Sequence, residues 1–327
     1  MDDISIKNFE FSRFSKEKRN VLDIDITPYD LREYKIYIGE KMTHNIITCI
    51  SPKGGSGNTT TVQALATGIT RCGYECLVID LNPNMNLTMV SKGRCERSNK
   101  SIYEIMNGEC SFEKARRVSE YYDYIEGNVS LYRADNDFTG KGKEYILKNI
   151  LTPLKEKYEY ILIDAPSSLG ILTINSLVAS DYVIIPTEQS FYALQGLDPL
   201  YYLINEVKNK YNKKLEISGI VFTKYTEKAK IYRELNKLIE EYAEEHNLGI
   251  YTTVIRQDSN VLGAQGIEED IYRNVIIYNF HSKLNNDYME LAYDVIDETQ
   301  GDELPKLQNI SYDDFMSKKY EQRVMIC

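Results

Sequence analysis

The sequence is poor in the residues that most often mark metal centres and catalytic triads. Three histidines occur in 327 residues, and His44, His246 and His281 are too scattered to suggest either arrangement. Of six cysteines, only Cys72 and Cys76 lie close together, and none falls at zinc-like or redox-like spacing. They read as reduced thiols, buried as small apolar groups. No apolar run approaches the roughly 20 residues that span a bilayer, and no signal peptide opens the chain. A soluble, intracellular protein is the expectation. Excess positive charge is also missing. The 39 Lys and Arg against 49 Asp and Glu leave a net charge of −10, so the molecule as a whole is not a basic nucleic-acid binder. Any DNA contact has to come from a local patch. There is no internal repeat and no low-complexity block.

What is present is a long alternation. Apolar stretches at 45–50, 76–80, 129–133, 159–164, 182–186, 217–222 and 251–255 read as strands. Helical patterns such as 144–157, 193–208 and 228–246 lie between most of them. In the last of these, Ile231, Leu235, Leu238, Ile239 and Tyr242 line one face, and a further helix carries Leu284, Tyr288, Leu291 and Val295 on one side. Continuous apolar strands separated by helices predict a doubly wound α/β fold, a mainly parallel sheet with helices on both faces. Residues 1–43 form an N-terminal extension, polar at first and then carrying a helix start at Thr27-Pro28-Tyr29-Asp30. Residues 44–298 form the main domain. Residues 299–327 form a tail, with an acidic linker and a short helix capped by Ser311.

The stretch that organises the chain is Ile-Ser-Pro-Lys-Gly-Gly-Ser-Gly-Asn-Thr-Thr-Thr, residues 50–61. A buried strand leads in, and Val62, Leu65, Ala66 and Ile69 lead out at helical spacing. A strand that turns through Gly54, Gly55 and Gly57 into a helix makes an anion site: backbone N–H groups point inward and the helix dipole adds positive potential. Glycine is needed because a Cβ would block the approach of a phosphate. The usual phosphate loop, G-x-x-x-x-G-K-[ST], places Lys where this chain has Asn58. Lys53 precedes the paired glycines.

The run Lys53-Gly54-Gly55-Ser56-Gly57-Asn58-Thr59-Thr60 resembles the deviant phosphate loop of the ParA/MinD family of nucleotide-switch ATPases. Four further segments match that family in order. They are Asp80-Leu81-Asn82-Pro83-Asn84-Met85-Asn86-Leu87-Thr88, Asp164-Ala165-Pro166 through Gly170, Pro186-Thr187-Glu188 through Gly196-Leu197, and Thr223-Lys224-Tyr225. Val254 to Gln265 is similar as well. The resemblance covers residues 45–297 and is nearest the partition, ParA-type, branch. It implies a homodimer around ATP or ADP with Mg2+, the nucleotide held by Lys53 to Thr60. Lys53 would reach the partner's nucleotide across the dimer interface. Thr59 and Asp164 would hold the metal, Thr59 directly and Asp164 through water. The resemblance further implies nonspecific DNA, a ParB-type centromere-binding partner, a cytoplasmic and nucleoid-associated setting, and no membrane.

Two departures bear on chemistry. Losing the loop lysine removes a charge-assisted hydrogen bond worth about 1.5–3 kcal/mol. Asn82 stands where the family has the aspartate that orients or deprotonates the attacking water, and an amide cannot take a proton. Nucleotide binding is therefore expected to be weakened, with Lys53 a candidate to substitute in space, and hydrolysis very slow or lost. A non-hydrolysing DNA-bound scaffold on the same fold is the alternative, and a MinD-like membrane-associated ATPase a third. For DNA the candidates are Lys224, Arg233, Arg256 and Arg273, with the run Lys208 to Lys214 reading more readily as a solvated helix end.

Overall fold

The computed structural model describes residues 44–91, 100–119, 121–258 and 282–300. The expected N-terminal helix, the C-terminal tail, the segment around Gln265 and Arg273 lie outside the described residues. Seven strands form one sheet: β1 (Asn45–Cys49), β2 (Cys76–Asp80), β3 (Arg117–Val118), β4 (Asp123–Ile125), β5 (Tyr160–Asp164), β6 (Tyr182–Glu188) and β7 (Glu216–Thr223). Their spatial order is β3-β4-β2-β5-β1-β6-β7. All neighbours pair parallel except the short edge pair β3–β4. Every residue of β1, β2 and β5 is buried, as unbroken apolar runs in a sheet covered on both faces require.

Among the described residues five longer helices cover the sheet: α1 (Asn58–Arg71), α2 (Ile171–Ala179), α3 (Phe191–Lys210), α4 (Lys230–Glu245) and α5 (Lys283–Gln300). One core joins α1 and α5 to the sheet through Leu65, Ile69, Leu284, Leu291 and Val295. Others gather under the short helices (Leu77, Ile79, Leu147, Leu151) and under α2, α3 and α4 (Leu177, Leu200, Ile204, Ile239).

Four local expectations need correction. Residues Val129–Arg133 form a 3₁₀ turn, not a strand. The Asn128 side chain accepts from the Ser130 amide at 2.9 Å and bends the chain there, so the strand on that flank is β4. Residues 251–255 form no strand. They touch β7 through single bonds, Tyr251 N–H to Ile220 O at 2.9 Å and Ile255 N–H to Phe222 O at 2.8 Å. The helix expected over 144–157 is broken into Ile146–Leu151 flanked by 3₁₀ turns, with Pro153 near the start of the second. On α4, Ile231 and Leu238 are exposed, and Asn236, Ile239 and Ala243 form the buried face.

The α1–α5 contact depends on the smallest side chain. A Cβ on Gly68 would lie 2.7 Å from the Ala292 Cβ. Alanine in a helix interior normally gains about 1 kcal/mol over glycine. Here the overlap of the two Cβ atoms should outweigh that gain, because overpacking costs about 1–3 kcal/mol. Gly68→Ala is expected to lower the thermal midpoint, and Ala292→Gly in the same chain to restore it.

Candidate functional site

The register of the parallel strands assembles the site. Cys49 at the end of β1 pairs with Asp164 at the end of β5, and Asp80 at the end of β2 pairs with Asp164 from the other side. Two carboxylates thus end on adjacent strands at the carboxyl edge of the sheet, where such folds take ligands. Both are fully buried. Burial raises the pKa of each well above the ordinary carboxylate range, and the nearby Asp80 charge adds to the rise at Asp164.

The glycine loop closes over this edge. Gly55 and Gly57 both take φ 86°, a left-handed conformation open to glycine. A Cβ on Gly54 or Gly55 would meet nothing within 4 Å, so the space over the crown of the loop is open. Helix α1 starts at Asn58 with no side-chain cap and no acidic residue in its first turn. Its first backbone bond to a residue four back runs from Thr61 N–H to Gly57 O at 2.9 Å, leaving the amides of Asn58, Thr59 and Thr60 ahead of the helical ladder. The Ser56 hydroxyl is buried with no partner. An uncapped helix start beside an orphaned hydroxyl and an open glycine crown is the cradle a phosphate would fill.

Asn58 does not face that cradle. Its amide nitrogen donates to Cys49 O at 3.0 Å, Asp164 Oδ1 at 2.5 Å and Ala165 O at 3.1 Å, all on the strand ends beneath the loop. Two amide hydrogens shared among three acceptors are fully spent. Thr59 Oγ1 donates to Asp164 Oδ2 at 2.7 Å. A hydroxyl and a carboxylate in contact are hard oxygen donors of the kind Mg2+ takes. Asp164 and Thr59 therefore fit that ion, which would relieve the repulsion between the two buried carboxylates.

Asp80 is held by a compact network. Its Oδ2 accepts from the Thr88 amide at 2.8 Å and the Thr88 hydroxyl at 2.7 Å, and its Oδ1 accepts from the Asn82 amide at 3.1 Å. The Thr88 hydroxyl in turn accepts from Gly127 N–H at 2.9 Å. The Asn82 side chain accepts from the Asn84 amide at 3.0 Å, closing a turn. Asn82 thus lies on the same strand end as Asp80 and offers no proton acceptor there.

The cations are arranged around Glu188, whose role the sequence did not reveal. Lys53 Nζ pairs with one Glu188 oxygen, and Lys224 Nζ lies 3.2 Å from the other. Lys224 Nζ also donates to Gly55 O at 2.6 Å. Burial would raise the Glu188 pKa, but the bonds from Lys53 and Lys224 outweigh it and hold the group below its ordinary value. The signals for Glu188 were its place at the end of an apolar strand, as for Asp164, and in a segment that resembles the family; neither pointed to its lysine partners. Among the DNA candidates, Arg256 forks onto Asp287 at 2.7 and 2.6 Å, and Arg233 donates to Glu227 O at 3.1 Å. In the 208–214 run, Lys210 pairs with Glu206 at 2.7 Å.

A model of a protein family described as an AAA domain matches residues 44–217. The sporulation initiation inhibitor protein Soj of Bacillus subtilis is 31% identical over 257 residues, 76% of this chain and 97% of its own. The chromosome partitioning protein ParA of Caulobacter vibrioides is 29% identical over 77% of this chain and 93% of its own. The chain belongs to this family of ParA-type P-loop ATPases. Among solved structures, cobyrinic acid a,c-diamide synthase from Mycobacterium smegmatis, with bound ADP and magnesium, superposes with a TM-score of 0.66. It is 24% identical over 78% of this chain and 94% of its own, a likeness of fold.

Removing the hydroxyl of Thr88 strips Asp80 of one donor and leaves the buried Gly127 amide without an acceptor. Thr88→Val is expected to destabilise the protein by about 1–3 kcal/mol in urea unfolding, with no change in m. Unchanged stability would mean that water replaces the hydroxyl.

Proposed function

We propose that the chain is a nucleotide-dependent partition switch that binds Mg-ATP as a homodimer and turns it over very slowly or not at all. Residues 44–298 would be the nucleotide-binding domain, flanked by extensions at 1–43 and 299–327. Gly54 to Thr60 would cradle the phosphates, Thr59 and Asp164 would hold Mg2+, and Lys53 would reach the partner's nucleotide. The metal would supply charge neutralisation on the phosphate oxygens. The ATP-bound dimer would then bind nonspecific DNA and a ParB-type partner in plasmid or chromosome segregation. Its setting would be cytoplasmic and nucleoid-associated.

The observation that carries this reading is the state of the two asparagines. Phosphoryl transfer asks the protein mainly for positioning and for cationic charge at the phosphate oxygens. Asn58 spends its amide on Asp164 and two carbonyls, and the Asn82 carbonyl oxygen is spent on Asn84. Neither offers the charge or the base that fast turnover needs. The same facts favour a second reading, a non-hydrolysing DNA-bound scaffold.

Calorimetry with Mg-ATP, followed by identification of the bound nucleotide after hours, separates these possibilities. Intact ATP is expected, and ADP would contradict the asparagine argument. In the double variant Asn58→Lys with Asn82→Asp, DNA-stimulated phosphate release is expected to rise at least about ten-fold, since general base catalysis alone contributes about 10²–10⁴. DNA affinity is expected to fall linearly with salt on logarithmic axes. Failure to bind DNA with or without nucleotide would remove the partition role.

A further inference from the structure

We propose that Lys224 supplies, from the same chain, the phosphate-binding ammonium that position 58 of the loop lacks. This rests on the reading of the glycine loop as an ATP site. Asn58 brings no charge, and turning its amide toward a phosphate would take the donor from Ala165 O and Asp164 Oδ1, leaving Cys49 O with the Ala165 amide alone and Asp164 with the Thr59 hydroxyl. The charge has to arrive from elsewhere.

The end of β7 is built to deliver it. Glu188 on β6 stands opposite Thr223 on β7. The Thr223 hydroxyl donates to Ser56 O at 2.7 Å, pinning the strand end to the loop. Lys224 then takes φ 51°, a left-handed conformation that side chains rarely adopt. The backbone beyond it is fixed by the Tyr225 amide on Ile255 O at 2.9 Å. Strain of this kind, held by its surroundings, marks positions where a side chain must be aimed. Here the aim is the crown of the loop, where Lys224 Nζ meets Gly55 O at 2.6 Å beside the open space over Gly54 and Gly55.

Glu188 is the resident anion of this arrangement. It holds Lys53 on one oxygen and Lys224 on the other. An arriving phosphate can take the place of the Glu188 oxygen as partner to Lys224, so the lysine exchanges one anion for another and is never left unpaired. Lys53 is the rival source of charge. Its ammonium contacts Glu188 and lies 5.9 Å from the Tyr192 ring centroid, whereas Lys224 Nζ touches the loop backbone itself.

The test is calorimetric affinity for Mg-ATP in the full chain, with thermal midpoints to report folding. Lys224→Met is expected to weaken binding about ten- to a hundred-fold, the worth of a charge-assisted hydrogen bond, and Lys224→Arg to retain most of it. Adding Asn58→Lys to Lys224→Met is expected to restore affinity, because the ammonium then comes from the loop. Lys53→Met in the monomer is expected to have the smaller effect. If the unaltered protein binds and Lys224→Met binds as tightly, this inference alone is overturned. Failure of Asn58→Lys to rescue a folded Lys224→Met chain also overturns it. If the unaltered protein binds no nucleotide, the reading of the loop falls with it.

Discussion

Everything at the carboxyl edge of this sheet answers to one constraint, the juxtaposition of two buried carboxylates. Parallel register brings Asp80 and Asp164 to the ends of neighbouring strands, and neither reaches solvent. Buried carboxylates must be hydrogen-bonded, protonated or paired with a cation. Thr88 and Asn82 serve Asp80, and Asn58 and Thr59 serve Asp164. The asparagine in the place of the loop lysine donates to the carboxylate and two carbonyls without supplying charge, and its own Oδ1 is buried without a partner. What the site gains in neutral satisfaction it loses in attraction for phosphate.

The positive charge has moved outward. Glu188 collects Lys53 and Lys224 at the mouth of the loop, while on the floor of the site the two carboxylates are met by amide and hydroxyl donors. A divalent cation and a polyphosphate arriving together would complete both layers, the cation near Thr59 and Asp164 and the phosphates between the glycine crown and the lysines. Gly196 has a place in the same layout. A Cβ there would collide with the Pro52 carbonyl, so α3 can pass this close to the entry of the loop only because that position is bare.

Much of this was legible in the sequence where one segment speaks for itself. Strands β1, β2 and β5 are unbroken apolar runs, and the glycine loop carries its own turn chemistry. The reading failed where partners decide. Val129 and Leu131 alternate like a strand, yet Val129 is exposed and an Asn128 side-chain bond turns the segment into a 3₁₀ helix. Residues 251–255 look apolar enough to pair, but only single bonds reach β7. Glu188 and Lys224 lie 36 positions apart, and nothing local in either announces that β6 and β7 are neighbours. Lys224 read as a candidate for DNA because its basicity was visible and its location was not.

A crystal structure with Mg2+ and a non-hydrolysable ATP analogue tests the central claim most directly. The account predicts the Lys224 ammonium on a phosphate oxygen, Glu188 released from it, and the Asn58 amide still bonded to Asp164 and the strand-end carbonyls. A bound nucleotide with Lys224 still on Glu188, or with Asn58 swung out to the phosphates, would contradict it.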